Sequence, residues 1–133
     1  MNIYELIKKH EGLRLKPYTC PTGHLTIGYG HNLEANGITE DIAEKLLIQD
    51  VEAATLAVID LVPTYHDLSD NRKMALIDMC FNMGKFGLAK FKKFLQAIAE
   101  HNWVEASAQL VDSTWYTQVG TRAETVVQMI REG

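Results

Sequence analysis

Between Thr39 and Pro63 the chain reads TEDIAEKLLIQDVEAATLAVIDLVP, in which Ile42, Ala43, Leu46, Leu47, Val51, Ala54, Val58 and Leu61 recur at helical spacing with no glycine or proline between them. This pattern predicts one helix of about 20 residues, roughly 30 Å long at 1.5 Å per residue. Thr39 is its candidate cap, and Glu40 and Asp41 suit the positive end of a helix dipole. A length of 133 residues points to one domain with a sizeable core. A rod of that length is long enough to run between two lobes of such a domain, and the segments on either side of it read differently.

The segment before it is short and rich in turns. Asn2 with Glu5 three residues later forms a capping-box pattern, Ile3, Leu6, Ile7 and His10 share one helical face, and Gly12 supplies a stop. Glu11 then closes the helix, where the negative end of the dipole disfavours negative charge and so suits a proton donor. Leu13, Leu15 and Pro17 alternate with Arg14, Lys16 and Tyr18, and Leu25, Ile27 and Tyr29 form a second alternating run. Pro21 and Gly23 mark the turn between these strands, and Gly28 and Gly30 allow positive φ or close backbone approach before His31. Gly-Tyr-Gly is not a phosphate loop, because no Lys-Ser or Lys-Thr follows it.

The segment after the long helix is almost wholly helical. Ser69 or Asp70 starts a run carrying Ala75, Leu76, Met79, Cys80 and Met83, with a break expected across Gly84–Gly87. Phe91, Phe94, Leu95 and Ile98 mark another helix, and Asn102 caps the next from Trp103 to Leu110. A short stretch near Trp115 leads through Gly120 to a last helix with Ala123, Val126, Val127 and Ile130. The fold class is therefore α+β, mainly α, with a small N-terminal β-hairpin lobe, a helical C-terminal lobe, a long helix joining them and a cleft between, a shape that suits a long polymer.

Net charge of −4 and a longest basic cluster of only Lys90, Lys92 and Lys93 argue against nucleic acid as a partner. No apolar run reaches the roughly 20 residues of a membrane span. Two cysteines 60 positions apart are no disulfide framework, and MNIYELIKKHEG lacks the apolar core of a signal peptide, so a reducing cytoplasm is expected. No coiled-coil heptads suggest more than a monomer. Within Glu11–His31 the chain gathers an acid, a thiol at Cys20 and a hydroxyl at Thr26, which a hairpin can fold around one pocket.

The arrangement Glu11, eight residues, Cys20, five residues, Thr26, set in EGLRLKPY and TIGYGH, resembles the phage-type lysozymes (endolysins), muramidases of glycoside hydrolase family 24, and the resemblance covers essentially the whole chain. It implies a single lysozyme domain over 1–133, with 12–60 as β lobe plus interlobe helix and 1–11 and 61–133 as helical lobe. It also implies hydrolysis of the β-1,4 bond between N-acetylmuramic acid and N-acetylglucosamine in peptidoglycan for host cell lysis. Glu11 is then the general acid, Cys20 and Thr26 position the water, and the anomeric carbon is inverted. The family has aspartate or cysteine at the position of Cys20. An ordinary thiol, with a pKa of about 8.5, is only a few per cent thiolate at neutral pH.

Carried over position by position, the resemblance places Phe81, Asn82, Gln109 and Trp115 against the glycan, with Asn32 and Phe94 at cleft positions where the residue types depart from the familiar ones. It sets Arg122 near Glu11 and pairs His31 with Asp50. No cofactor or metal is implied. A holin-type pore is implied as partner, the enzyme staying in the host cytoplasm until lysis and then acting on the wall. Two rivals stand beside this reading: a non-hydrolytic peptidoglycan-binding module, and a Cys-His hydrolase using Cys20 with His24 or His31. The spacing of Cys20, His24 and His31 fits no common zinc pattern.

Overall fold

A computed structural model describes residues 1–133, which divide into two compact units, Met1–Lys45 and Leu46–Gly133. The first holds helix α1 (Ile3–Glu11), strands β1 (Arg14–Thr19), β2 (Leu25–Gly28) and β3 (His31–Asn32), and the one-turn helix α2 (Leu33–Asn36). The capping box at its start is complete: Glu5 N–H donates to Asn2 Oδ1 at 2.9 Å and Asn2 N–H to Glu5 Oε2 at 3.3 Å. Gly12, at φ 71, ends α1 by donating its N–H to the Lys8 carbonyl, a conformation a side chain would strain.

The three strands form one antiparallel sheet in the order β1-β2-β3, with Tyr18 opposite Thr26 and Thr26 opposite Asn32. A register irregularity between Arg14 and Tyr18 interrupts the first pairing. The inward residue of β2 is Thr26, 3% exposed, whereas Leu15 on β1 is 80% exposed. A hydroxyl can be buried there because it donates to the His24 carbonyl at 2.9 Å and leaves no unsatisfied donor.

Helix α3 (Glu40–Leu61) is the predicted long one, 22 residues and about 33 Å, and the boundary between the units falls within it. It stops two residues short of Pro63, as the steric restriction on a residue preceding proline requires. The second unit continues through a 3₁₀ turn (Tyr65–Asp67), α4 (Asp70–Ala89), α5 (Lys92–Ala99), α6 (Trp103–Val111), α7 (Thr114–Val119) and α8 (Thr121–Glu132). Ser69 and Asn102 cap α4 and α6 as expected. The break expected over Gly84–Gly87 is a single kink at Gly84, φ 78, after which the helix resumes to Ala89.

The core of the second unit is fully buried at Val58, Leu76, Met79, Leu88, Phe94, Ile98, Leu110 and Ile130, drawn from α3, α4, α5, α6 and α8. Arg72 ties α4 to the end of α8: its Nε donates to the Ile130 carbonyl at 2.7 Å and its guanidinium lies 3.8 Å from the centre of the Trp103 ring. That bond satisfies one of the carbonyls a helix C-terminus leaves open. The fold is the α+β, mainly α architecture expected, and no helix is long and apolar enough to cross a membrane.

Candidate active site

Glu11 is exposed at the last position of α1. Its side chain lies directly over Gly30: a Cβ built there would stand 2.6 Å from Oε2 and 2.7 Å from the carboxyl carbon. Gly30 also has φ +75, so both backbone conformation and space demand glycine. The glycine of TIGYGH is thus the floor on which the acid rests. Gly30→Ala is expected to cost only about 1–3 kcal/mol through backbone strain, since the carboxyl is at the end of a flexible side chain and can move. Moving it is the damage, because a displacement of about 1 Å from productive geometry costs on the order of 10²-fold in rate. Glycosidase assays beside thermal melts check this, and activity within twofold of the parent would show that the Glu11 position does not matter.

Cys20 opens the turn between β1 and β2. Gly23 N–H donates to the Cys20 carbonyl at 2.8 Å, and Cys20 N–H donates to the His24 carbonyl at 2.9 Å. The sulfur lies 3.1 Å from Thr22 Oγ1. That contact, followed by a hydrogen bond from the His24 backbone, brings the Cys20 thiol down to about 6, against an opposing effect of desolvation. At neutral pH the group is therefore mostly thiolate, not the few per cent of an ordinary cysteine. The other cysteine, Cys80, is buried, and desolvation pushes its thiol up.

The remaining expected site residues divide between the units. In the first, Asn32 caps α2, its Oδ1 accepting from Ala35 N–H at 3.0 Å, and sits opposite Thr26 in the sheet. In the second, Trp115 Nε1 donates to Asn82 Oδ1 at 2.9 Å, joining two expected sugar contacts across 33 residues. Phe81 is 42% exposed and lines a cavity of about 390 Å³ with Asp50, Ala54 and Cys80. Gln109 lines another of about 440 Å³ beside Lys90 and Phe91, and its amide donates to Glu105 at 2.7 Å.

Phe94, Arg122 and His31 each have defined partners within their own unit. Phe94, expected at the glycan, is 1% exposed and belongs to the core, set edge-to-face with Phe91 at 6.4 Å between ring centres. Arg122 makes an ion pair with Asp78: Nε and Nη2 reach the two carboxylate oxygens at 2.9 Å each, and this bond holds the guanidinium above its usual range. His31 has Nε2 2.6 Å from the Gly37 carbonyl.

Neither histidine offered as a base for Cys20 serves it. His24 Nδ1 is 3.2 Å from Glu34 Oε2, and His31 is bonded as described. Sequence reasoning passed over Thr22, His24–Glu34 and Asp78. For Thr22 the signal was present in Cys-Pro-Thr-Gly, since a turn folds its first and third residues toward each other.

A small three-stranded antiparallel sheet near the N-terminus followed by a mainly helical remainder is the lysozyme-like class of fold. Residues 8–131 match the family described as phage lysozyme, and the chain belongs to that family. It is 30% identical to a probable T4-type lysozyme 2 of Dictyostelium discoideum, over 99% of this chain and 95% of that protein. It is 33% identical to the pre-baseplate central spike protein Gp5 of Enterobacteria phage T4, over 100% of this chain but 28% of that one. An endolysin of Acyrthosiphon pisum secondary endosymbiont phage 1 shares 38% identity over 59% of this chain and 55% of its own.

Proposed function

We propose that the protein hydrolyses the β-1,4 bond between N-acetylmuramic acid and N-acetylglucosamine in bacterial peptidoglycan. Glu11 protonates the leaving oxygen, while Cys20 and Thr26 direct a water to the opposite face of the sugar with inversion. The observation that carries this is the geometry at Cys20: its sulfur lies 3.1 Å from Thr22 Oγ1 on the closed β1–β2 turn, a contact that brings the thiol down to about 6 and so favours the negative charge that water activation needs. Direct attack by sulfur would leave a thioglycoside resistant to hydrolysis, which favours a water-directing role. Asn32, Phe81, Asn82, Gln109 and Trp115 are the candidates for holding the glycan, aromatic faces covering sugar rings and amides bonding hydroxyl and acetamido groups. An endolysin among the relatives supports a role in lysis; the resemblance of the sequence adds to the proposal a start in the host cytoplasm, a holin-type pore giving access to the wall and action as a monomer.

Incubation with purified peptidoglycan tests the reading by release of new reducing ends. Their absence across a broad pH range would leave only a binding module, and a retained anomer in the product would overturn inversion. The pH profile is a sharper check. Because the thiolate is the working form and is lost as pH falls through about 6, activity attributable to Cys20 declines below that point. Cys20→Asp is expected to keep substantial activity and move this decline toward a carboxylate's range, about 4. A Cys-His hydrolase would be inactivated by the same change.

A further inference from the structure

The turn that carries Cys20 brings a hydroxyl to its sulfur. Two backbone bonds, Gly23 N–H to the Cys20 carbonyl and Cys20 N–H to the His24 carbonyl, fix the turn so that Sγ and Thr22 Oγ1 meet at 3.1 Å. A hydroxyl has a single proton to give. That of Thr26 goes to the His24 carbonyl at 2.9 Å, which leaves Thr26 a lesser influence on the sulfur and Thr22 its principal hydroxyl donor.

We propose that Thr22 is a positioning residue of the hydrolytic reaction, its hydroxyl donating to the Cys20 thiolate and holding that anion where it directs the water. The inference rests on the muramidase reading above. Its proton accounting is simple: the thiol proton leaves to solvent, the thiolate accepts only, and Thr22 turns its O–H toward sulfur. In the neutral thiol the S–H can instead donate to Oγ1. A hydrogen bond to a charged partner is about twice as strong as a neutral one, so the contact selects the ionised form.

Charged side chains do not supply an alternative cause. His24 is held by Glu34 at 3.2 Å, the Tyr18 ring lies under the Arg14 guanidinium at 5.1 Å, and Glu11 rests on Gly30. The influences on the thiol are hydrogen bonds and desolvation, with the Thr22 hydroxyl the largest.

Thr22→Val removes the hydroxyl at nearly constant shape on an exposed turn, and Thr22→Ser restores it. The first readout is the pH dependence of Cys20 alkylation by iodoacetamide, in which buried Cys80 takes little part. The midpoint is expected to rise by about one pH unit or more in Thr22→Val and to return in Thr22→Ser. Peptidoglycan hydrolysis near pH 6 should fall by up to about tenfold in Thr22→Val and recover as pH rises. In a Cys20→Asp background the same substitution should change hydrolysis near pH 6 less than about twofold, because a carboxylate with a pKa of about 4 stays ionised there with or without the hydroxyl. An unmoved alkylation midpoint in Thr22→Val overturns the proposal whatever hydrolysis shows. A midpoint that moves in a parent protein releasing no reducing ends overturns the muramidase reading instead, and the role of Thr22 in it, while the bond itself stands.

Discussion

Glu11→Gln is expected to lower the release of reducing ends from peptidoglycan by about 10²–10⁴-fold while the protein stays folded. Glutamine keeps the shape of glutamate and cannot hand an acidic proton to a leaving oxygen. Stability should hold, for three structural reasons. Glu11 is exposed, it makes no salt bridge, and α1 is anchored at its other end by the Asn2–Glu5 capping box. Removing a negative charge from a helix C-terminus is also mildly favourable. Kinetics at several pH values, alongside a urea melt, separate the two effects. A variant retaining more than about a tenth of parental activity would remove Glu11 from the role of acid.

Phe94→Ala is expected to act in the opposite manner, costing about 3–5 kcal/mol of stability with little change in how the remaining folded protein handles substrate. The ring is 1% exposed, in a core shared with Leu88, Ile98 and Leu110, and meets Phe91 edge-on. Truncation leaves a cavity that helices anchored on several sides cannot close. Domain stabilities are only about 5–15 kcal/mol, so the loss approaches the whole for a marginal protein. Urea unfolding measures it directly. Unchanged stability with a raised KM for glycan would return Phe94 to the substrate-binding role its position in the sequence implied.

These two residues show where sequence reasoning reaches and where it stops. Glu11 was legible because everything that places it is local: a cap at Asn2, a stop at Gly12, and a glycine at position 30 whose positive φ was anticipated. The turn at Cys20 was legible for the same reason, as were α3 between Thr39 and Pro63 and the caps at Ser69 and Asn102. For Phe94 the helical recurrence with Phe91, Leu95 and Ile98 was legible, but its near-complete burial was not, because that depends on the helices packed against α5. Thr26 likewise sits in an alternating run whose apolar members drew attention, yet the hydroxyl is the buried group once His24 accepts its proton.

What the amino-acid order determined by itself is the class of fold, the family and the place of Glu11 at the end of a helix, since short-range propensities and a spaced motif carry that information. What only the tertiary structure decided is which groups act together. Arg122 finds Asp78 across 44 residues and Trp115 finds Asn82 across 33, pairings that no local pattern encodes. The charge state of Cys20 belongs to the same category although its partner is two residues away. Sequence alone leaves an ordinary thiol, and only the closed turn, with Thr22 Oγ1 3.1 Å from the sulfur and the His24 backbone beside it, brings that thiol down to about 6.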